Sequence, residues 1–247
     1  MIDVRKALED VRSEFRAPPE PFEVRAWLRT PVAFDPLSVH FDAILAYAVL
    51  AEVGFPVWDS NEFGELLDIP LPLAQTGGVW HASAMWIEDP AKGKLVIYKR
   101  WASHYEHLVR KRRKINTGFG FYRAMALPIY TAHAPYVQFF ACGDPNWVER
   151  LLKHVHAIGK KRSVGYGSVE KWEIIPLDED WSLTWQHPDV LLSSRSLPVD
   201  LLREMGLWAK GVVAELGVRP PYWHPETKAL ACFPWQELVH DRGGAEG

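Results

Sequence analysis

The sequence predicts an α+β protein with a ferredoxin-like (RRM-like) βαββαβ core, and three observations carry this prediction. Segments with strand and helix periodicity follow one another in the order strand, helix, strands, helix, strand. A glycine-rich basic loop lies between the last helix and the last strand of that series. The 247 residues, 48% of them hydrophobic, are enough to bury a core. Because one fold serves many functions, the function has to be argued from the sites.

Each core element has a local signature. Residues 22–28 alternate apolar and charged side chains, which indicates a strand with one buried face. Residues 41–53 are apolar on most faces and precede Gly54, which indicates a buried helix. Asp144 and Pro145 are residue types preferred at a helix N-cap and first position. The predicted core elements are strand 22–28, helix 41–53, helix 144–156 and strand 169–175.

The middle of the chain is less regular. Two β-rich runs, 79–87 and 94–101, flank a turn-like segment and are predicted to pair as a hairpin. Two further strands are predicted at 122–132 and 136–141. Because Pro128 and Pro135 cannot donate a hydrogen bond to a neighbouring strand, we expect these two strands at sheet edges or bends.

The ends of the chain complete the expected organisation. Apolar spacing within 4–15 predicts an N-terminal helix, whereas the Trp- and Pro-rich stretch after Pro176 shows no clear periodicity. The expected divisions are an N-terminal helix and linker at 1–21, a core at 22–177 with a basic insertion at about 99–121, and a C-terminal extension at 178–247.

Charge is distributed unevenly along the chain. The formal net charge of -3, taken alone, argues against a nucleic-acid binder. Residues 99–123, however, contain eight Lys or Arg and one acid, Glu106, while 178–180 is acidic throughout. The positive charge is therefore concentrated in the middle of the chain.

Cysteine content and hydropathy indicate the compartment. Cys142 and Cys232 are too few for a disulfide framework or a Cys-based zinc cluster, which favours a reducing compartment. No run approaches the roughly 18 apolar residues of a membrane span, and the N-terminus lacks the apolar region of a signal peptide. We therefore expect a cytoplasmic protein with no membrane partner.

The most informative segment is the glycine-rich basic loop. Its residues are Gly159, Lys160, Lys161, Arg162, Ser163, Val164, Gly165, Tyr166 and Gly167. Glycines permit a positive φ and a close approach of ligand to main chain, whose N–H groups then meet phosphate oxygens. The cations add opposite charge, which holds a nucleic-acid backbone without reading its sequence. A solvated turn is the alternative. The loop follows a helix and precedes a strand, the reverse of a P-loop or Rossmann turn, which argues against nucleotide binding.

This loop, with the following residues 168–172, resembles the glycine-rich loop of the CRISPR RAMP (repeat-associated mysterious protein) superfamily. The resemblance is greatest to the type IV effector subunit of Cas-five type, the Csf-three-like family. Three further segments match in the same order, at 41–48, 80–84 and 219–225. The matches together span roughly residues 22–225.

The resemblance implies a non-catalytic subunit that holds the 5′ handle of the crRNA and caps one end of a guided effector complex. Its implied partners are crRNA, a Cas-seven-type backbone, a large subunit and, through guide pairing, target DNA. Two alternatives stay open. One is a metal-independent endoribonuclease of Cas-six type that processes crRNA, and the other is a DNA- or protein-binding adaptor outside CRISPR systems.

A second basic site is predicted in the insertion. Its cations are Lys99, Arg100, Arg110, Lys111, Arg112, Arg113, Lys114 and Arg123. Aromatic residues such as Trp101 and Tyr122 are interleaved with them, and this mixture suits single-stranded RNA, whose phosphates pair with charge while its bases stack. In Cas-five-type relatives this region carries a thumb-like insertion that touches RNA and the neighbouring subunit. A solvated charge run is the alternative.

The sequence contains no motif for a hydrolase, a metalloprotease or a two-metal nuclease. In the endoribonuclease alternative, His81 and Tyr166 are the acid–base candidates; otherwise His81 is expected to be a structural, hydrogen-bonded histidine. His154 and His156 are two apart at a predicted helix end and so point to different sides, which disfavours a shared metal. We predict no catalytic residue, no metal and no cofactor.

Overall fold

A computed structural model of the chain describes residues 3–33, 39–55, 67–102, 116–120 and 122–240. Its helices are α1 (Val4–Glu14), α2 (Phe41–Glu52), α3 (Pro145–Leu152) and α4 (Val199–Glu204). Its strands are β1 (Glu20–Leu28), β2 (Val32–Ala33), β3 (Gln75–Thr76), β4 (Val79–Trp80), β5 (Ala91–Lys99), β6 (Met125–His133), β7 (Tyr136–Gly143), β8 (Val169–Pro176), β9 (Thr184–His187), β10 (Val190–Ser193), β11 (Leu207–Ala209), β12 (Val213–Gly217), β13 (Lys228–Cys232) and β14 (Glu237–His240). This mixture confirms the α+β class. None of the described helices is long and apolar enough to cross a membrane.

The central antiparallel sheet has the ferredoxin-like strand order. Strand β1 lies between β7 and β8, with Val24 opposite Phe139 on one side and Ile174 on the other. Segment 81–86 runs along the other side of β7, where Ser83 N–H donates to the carbonyl of Phe140 (2.8 Å). The spatial order β8, β1, β7, segment 81–86 is that of a βαββαβ fold. The predicted core is therefore confirmed.

Helices α2 and α3 pack against this sheet and bury its apolar side chains. Helix α2 contacts β7, and its Phe41 stacks on Phe139 with ring centroids 5.2 Å apart. Helix α3 begins, as predicted, at Asp144, whose side chain accepts from the N–H groups of Asn146 (3.0 Å) and Trp147 (3.2 Å). The two helices also contact each other, which closes the core.

Helix α3 ends at Leu152, before the predicted end at His156. The N–H groups of His154 and Val155 donate to the carbonyls of Leu151 and Leu152 (both 3.0 Å), which tightens the last turn. The chain then turns so that Ala157 pairs with the residue just ahead of β8. The pairing of Ala157 therefore ends the helix earlier than the periodicity of the sequence predicts.

The predicted hairpin between 79–87 and 94–101 is wrong. Strand β5 pairs with β6 instead, with Leu95 opposite Ile129. Segment 81–86 is held from two sides, because Trp86 N–H donates to the carbonyl of Gln138 (2.9 Å) and Ala84 N–H to that of Ser194 (2.7 Å). A segment whose backbone groups are already paired has none left for β5.

The prolines lie at a sheet edge and at a bend, as expected. Pro128 lies on the part of β6 that β5 alone pairs with, because β2 reaches only Thr131 and Ala132. Pro135 lies in the bend before β7, which has β1 on one side and segment 81–86 on the other. Pro135 precedes β7, so its missing N–H leaves the ladder intact, and its carbonyl accepts from Leu28 N–H (2.9 Å).

The chain after Pro176, whose sequence pattern predicts no elements, contains short strands and α4. The strands form a four-stranded sheet in the order β11-β14-β10-β9 and a two-stranded sheet of β12 and β13. Within the described ranges, their apolar side chains bury a second cluster around Leu197, Leu202 and Leu238. Strands of three to five residues are too short to show clear alternation.

Arg195 joins this second cluster to the central sheet. Its fully buried guanidinium donates to Asp42 Oδ2 (3.0 Å) and to the carbonyls of Ala82 (2.9 Å) and Val218 (2.6 Å). Burial raises the pKa of Tyr222 well above its ordinary value, so this hydroxyl keeps its proton and donates to Asp42 Oδ1 (2.7 Å). The buried charges are therefore compensated within the network.

Candidate nucleic-acid interface

Backbone packing requires two glycines of the loop. Gly159 has φ +79°, and a Cβ there would lie 2.5 Å from the carbonyl oxygen of Ala33. Gly167 has φ +64°, and a Cβ there would overlap the carbonyl oxygen of Ile158. A side chain at either position therefore meets both an unfavourable φ and a main-chain clash.

Hydrogen bonds fix the loop to the chain that follows β1. Gly167 N–H donates to the carbonyl of Pro31 (2.8 Å). The hydroxyl of Thr30 donates to the carbonyl of Gly165 (2.7 Å) and accepts from Ser168 N–H (2.9 Å). The loop is thus tied at several points to a neighbouring segment, which makes it a rigid support for its side chains.

Main-chain N–H groups in the second half of the loop are used inside the protein. Val164 and Tyr166 donate to the carbonyl of Lys161 (3.0 and 3.4 Å), and Gly165 donates to that of Arg162 (3.0 Å). These N–H groups are therefore not free to meet phosphate oxygens, although glycine-rich loops often supply such contacts. In this half of the loop, the main chain therefore offers a ligand fewer donors than the glycines suggest.

The three cations are exposed on this support. Lys161 has φ +60°, uncommon for a residue with a side chain, and precedes the short 3-10 turn Arg162–Val164. The Arg162 guanidinium lies 5.5 Å from the ring centroid of Tyr47 on α2. Within the part of the chain that the structure describes, Lys161 and Arg162 form no ion pair with a carboxylate. Their charge is therefore available to a ligand.

A groove of about 760 Å³ opens beside the cations, lined by the loop, by Tyr47 and by residues 154–157. A smaller recess of about 340 Å³ shares Tyr47 and Arg162 with it and extends to Val39 and His40. Cavities of several hundred Å³ hold ligands of small-molecule size. The groove beside the loop therefore has the volume of a small-molecule site.

The acidic charge next to the groove is already balanced. Glu52 pairs with Arg150 (Nη2 to Oε1, 2.5 Å) and with His154 (Nε2 to Oε2, 2.5 Å). Burial opposes ionisation of Glu52, but the hydrogen bonds prevail and hold its pKa below the ordinary value. Because this carboxylate is satisfied by its own partners, the loop cations give the groove its positive edge.

Only part of the second predicted basic site falls within the described residues. Lys99 is the last residue of β5, and Arg100 follows it. Arg123 lies two residues before β6, the strand that pairs with β5. The remaining predicted cations, Arg110, Lys111, Arg112, Arg113 and Lys114, lie outside the described residues.

The structure separates the glycine-rich loop from the described part of the second basic site. Ala33 pairs both with Lys160 in the loop and with Thr131 in β6. From Thr131 to Met125, which is opposite Lys99, β6 extends for about 20 Å. The described part of the second basic site therefore lies apart from the glycine-rich loop.

The acid–base candidates His81 and Tyr166 lie at opposite ends of β7. The carbonyl of His81 accepts from Cys142 N–H (3.1 Å) at the C-terminal end, whereas the loop with Tyr166 lies where β7 begins and β8 starts. The eight residues of β7 span about 23 Å. His81 contacts Asp180 (Nδ1 to Oδ2, 2.6 Å) and Thr76 (Nε2 to Oγ1, 2.8 Å). The two candidates therefore do not share one reaction centre.

Sequence reasoning does not identify His40 and Tyr47 as neighbours of the loop. Tyr47 carries a sequence signal, because it is an aromatic residue with a polar atom on a mostly apolar helix. His40 carries none. Burial, with the charge of Arg195, holds its pKa well below the ordinary value, and its ring nitrogens have no hydrogen-bond partner among the described residues.

One family of known proteins matches this chain. The family model described as CRISPR type IV associated protein Csf3 matches residues 91–234, more than half of the chain, including the glycine-rich loop. A chain of the structure titled "Cryo-EM structure of the Type III-B Cmr-beta bound to cognate target RNA" is similar, with 12% identity and a TM-score of 0.37 over 71% of this chain and 68% of that one. No curated protein matches. The protein therefore belongs to the family of CRISPR type IV associated protein Csf3, as its glycine-rich loop indicated.

Proposed function

We propose that this protein is a non-catalytic crRNA-binding subunit of a type IV CRISPR effector complex. The glycine-rich loop holds the 5′ handle of the crRNA, and the protein caps a Cas-seven-type backbone next to the large subunit. The observation that carries this proposal is the rigid presentation of Lys160, Lys161 and Arg162 at the edge of a groove. Target DNA is met through guide pairing, which reads sequence, while the protein recognises shape and charge.

Local charge favours RNA binding although the whole chain carries a net charge of -3. The cations of the loop attract phosphates, and contacts of this kind carry no sequence information. Because Gly159 and Gly167 hold the loop against neighbouring backbone, little freedom is lost when RNA binds. A preorganised positive edge suits an RNA segment that is held by its backbone.

The β5–β6 pair supplies a second surface in this proposal. Tyr98 (64% exposed), Tyr130 (61%) and Leu95 (40%) are unusually exposed for large apolar residues. By strand alternation, Tyr98 and Tyr130 lie on one face of this pair and Leu95 on the other, so both faces expose apolar side chains of the kind found at interaction surfaces. We assign this strand pair, with the basic run 110–114, to contact with the adjacent backbone subunit and its bound RNA.

The proposal also covers the division of the chain. The proposed units are the N-terminal helix and linker at 1–21, the RAMP core with its insertion at 22–177 and the extension at 178–247; β1 begins two residues before the first of these boundaries. The protein works in the cytoplasm as part of the ribonucleoprotein.

The test compares two triple variants of the full chain. Replacing Lys160, Lys161 and Arg162 by Ala should weaken binding of a single-stranded RNA with the repeat-derived 5′ handle, because three phosphate contacts are lost. It should also flatten the slope of log affinity against log salt by about 2, at roughly 0.7 per contact. The matched control replaces three exposed cations of the extension, Arg203, Lys210 and Lys228, by Ala. Equal binding and equal slopes for both variants would refute the role of the loop.

The same preparation separates binding from cleavage. With EDTA present, the protein should leave repeat RNA intact. Cleavage at one position that His81→Ala or Tyr166→Phe abolishes would favour the endoribonuclease alternative, because acid–base groups contribute about 100-fold or more.

A further inference from the structure

Three potential metal ligands meet at the end of the central sheet opposite the loop. His81 lies in segment 81–86, Cys142 near the end of β7, and Asp180 in the chain that follows β8. One ligand atom of each residue, the imidazole nitrogen, the thiol sulfur and a carboxylate oxygen, lies within 4.8 Å of the other two. The three residues are far apart in the sequence and match no metal-binding motif, which is why the sequence predicts no metal here.

We propose that His81, Cys142 and Asp180 form a binding site for Zn²⁺ or a similar thiophilic divalent metal. Nitrogen, sulfur and oxygen ligands of these three types are the ones that zinc takes in proteins. Three protein ligands leave a fourth position to water, as in many zinc sites.

The distances are compatible with coordination after a small adjustment. Zinc–ligand bonds of about 2.0–2.3 Å place tetrahedral ligand atoms roughly 3.3–3.8 Å apart. His81 Nδ1 and Asp180 Oδ2 are 2.6 Å apart, so they must separate by about 1 Å to admit the ion. Asp180 is 30% exposed and its segment follows β8 without belonging to a strand, which permits this movement.

Neighbouring groups orient the ligands as they do around known metal sites. His81 Nε2 lies 2.8 Å from Thr76 Oγ1, a contact that directs Nδ1 towards the other two ligands. Asp180 Oδ1 accepts from Ser182 N–H (2.9 Å), which leaves Oδ2 for the ion. The strand pairing between Ala82 and Ala141 fixes the spacing of His81 and Cys142.

Binding exchanges a proton for the metal. Burial, together with the charge of Asp180, raises the pKa of Cys142 to about 11, so the metal-free protein carries a neutral thiol. When the Zn–S bond forms, the thiol proton passes to solvent and the sulfur ligates as thiolate. The metal would tie the first residues of the C-terminal extension to the sheet, independently of RNA binding by the loop.

The test is titration of the chelator-treated full chain with Co²⁺, which zinc sites accept and which absorbs visibly. The wild type should bind one equivalent, show tetrahedral bands with a thiolate-to-cobalt charge-transfer band, and lose both when Zn²⁺ is added. Cys142→Ser should abolish the charge-transfer band and weaken affinity at least about tenfold. Asp180→Asn, at a more exposed position, should weaken affinity while preserving the fold.

Cys232→Ser provides the matched control, because Cys232 is also a buried free cysteine but lies in the second apolar cluster. This variant should bind Co²⁺ as the wild type does. Zn²⁺ should raise the unfolding temperature of the wild type and Cys232→Ser but not of Cys142→Ser. Substoichiometric binding by the wild type would show that the cluster holds no metal, and a charge-transfer band that survives Cys142→Ser would show that the cobalt binds a thiol elsewhere; either result overturns the proposal.

Discussion

Arg195 and Arg162 are the same residue type in opposite situations. Arg195 is fully buried; Asp42 (3.0 Å) compensates its charge, and the Tyr222 hydroxyl accepts a hydrogen bond from it (2.9 Å). Arg162 is exposed over the ring of Tyr47 and, among the described residues, has no carboxylate partner. Burial of an ion costs several kcal/mol unless it is paired, whereas an exposed cation keeps its field for a ligand. Charge compensation thus distinguishes Arg195, a cation that stabilises the fold, from Arg162, a cation that can attract a phosphate.

The largest expected effect is the loss of stability when the buried Arg195 is replaced. Arg195→Met should lower the free energy of unfolding by about 3–5 kcal/mol, because Asp42 is left buried without its counter-charge. Denaturant unfolding measures the loss. Adding Asp42→Asn to the variant should recover part of it, since no unpaired charge then remains. A loss below about 1 kcal/mol would show that the network is not the link between the two clusters.

The RNA affinity of the loop is expected to depend on its backbone conformation, because that conformation positions the cations. Gly167→Ala should weaken RNA binding by about tenfold, equivalent to about 1.4 kcal/mol, because the new Cβ overlaps the carbonyl of Ile158 and displaces the cations. Gly165→Ala is the matched control: φ is also positive (+95°), but the space around it is open. It should therefore have the smaller effect on RNA affinity. Equal effects of the two variants would mean that φ alone, and not close packing, shapes the loop.

A smaller effect is expected from the ring beneath Arg162. Tyr47→Leu should reduce RNA affinity about two- to fivefold, because an exposed cation–π contact is worth about 0.5–1 kcal/mol. Tyr47→Phe keeps the ring and should bind RNA as the wild type does. If both variants lose affinity equally, the hydroxyl rather than the ring is the important group.

The smallest effect concerns Glu52, whose pKa is held below its ordinary value of 4.5 by hydrogen bonds from His154 and Arg150, against the effect of burial. The unfolded chain therefore takes up a proton at higher pH than the folded protein. The resulting stabilisation is fully present above about pH 4.5 and is lost as the pH falls through the lowered folded pKa. Glu52→Gln should flatten this part of the stability–pH curve, whereas the exposed Glu149→Gln should not. Unfolding measured across acidic pH distinguishes the two variants.

Local patterns were sufficient for much of the core and for the loop. The alternation in β1, the apolar run of α2 and the capping residues Asp144 and Pro145 depend on neighbours in sequence. Strand β1 and helix α2 lie close to their predicted bounds, and α3 begins where it is predicted to begin. The glycines of the loop also follow from local conformation, because the positive φ at position 167 favours glycine. The main-chain contacts expected of that loop are a different matter. The folded conformation of the loop decides them, because carbonyls within the loop accept from Val164, Gly165 and Tyr166, and carbonyls of the segment after β1 accept from Lys160 and Gly167.

Sequence alone determined the class of fold, the strand and helix order, and the position of the basic loop, since periodicity, capping and charge are properties of short segments. Tertiary structure decided the partner of β5, the end of α3 and the strands after Pro176, because hydrogen-bonding groups pair wherever the packed chain supplies partners. It also decided that the charge of Arg195 is compensated by a carboxylate while the charge of Arg162 is not. The compensating carboxylate, Asp42, is distant in sequence and becomes a neighbour only when the two clusters pack together.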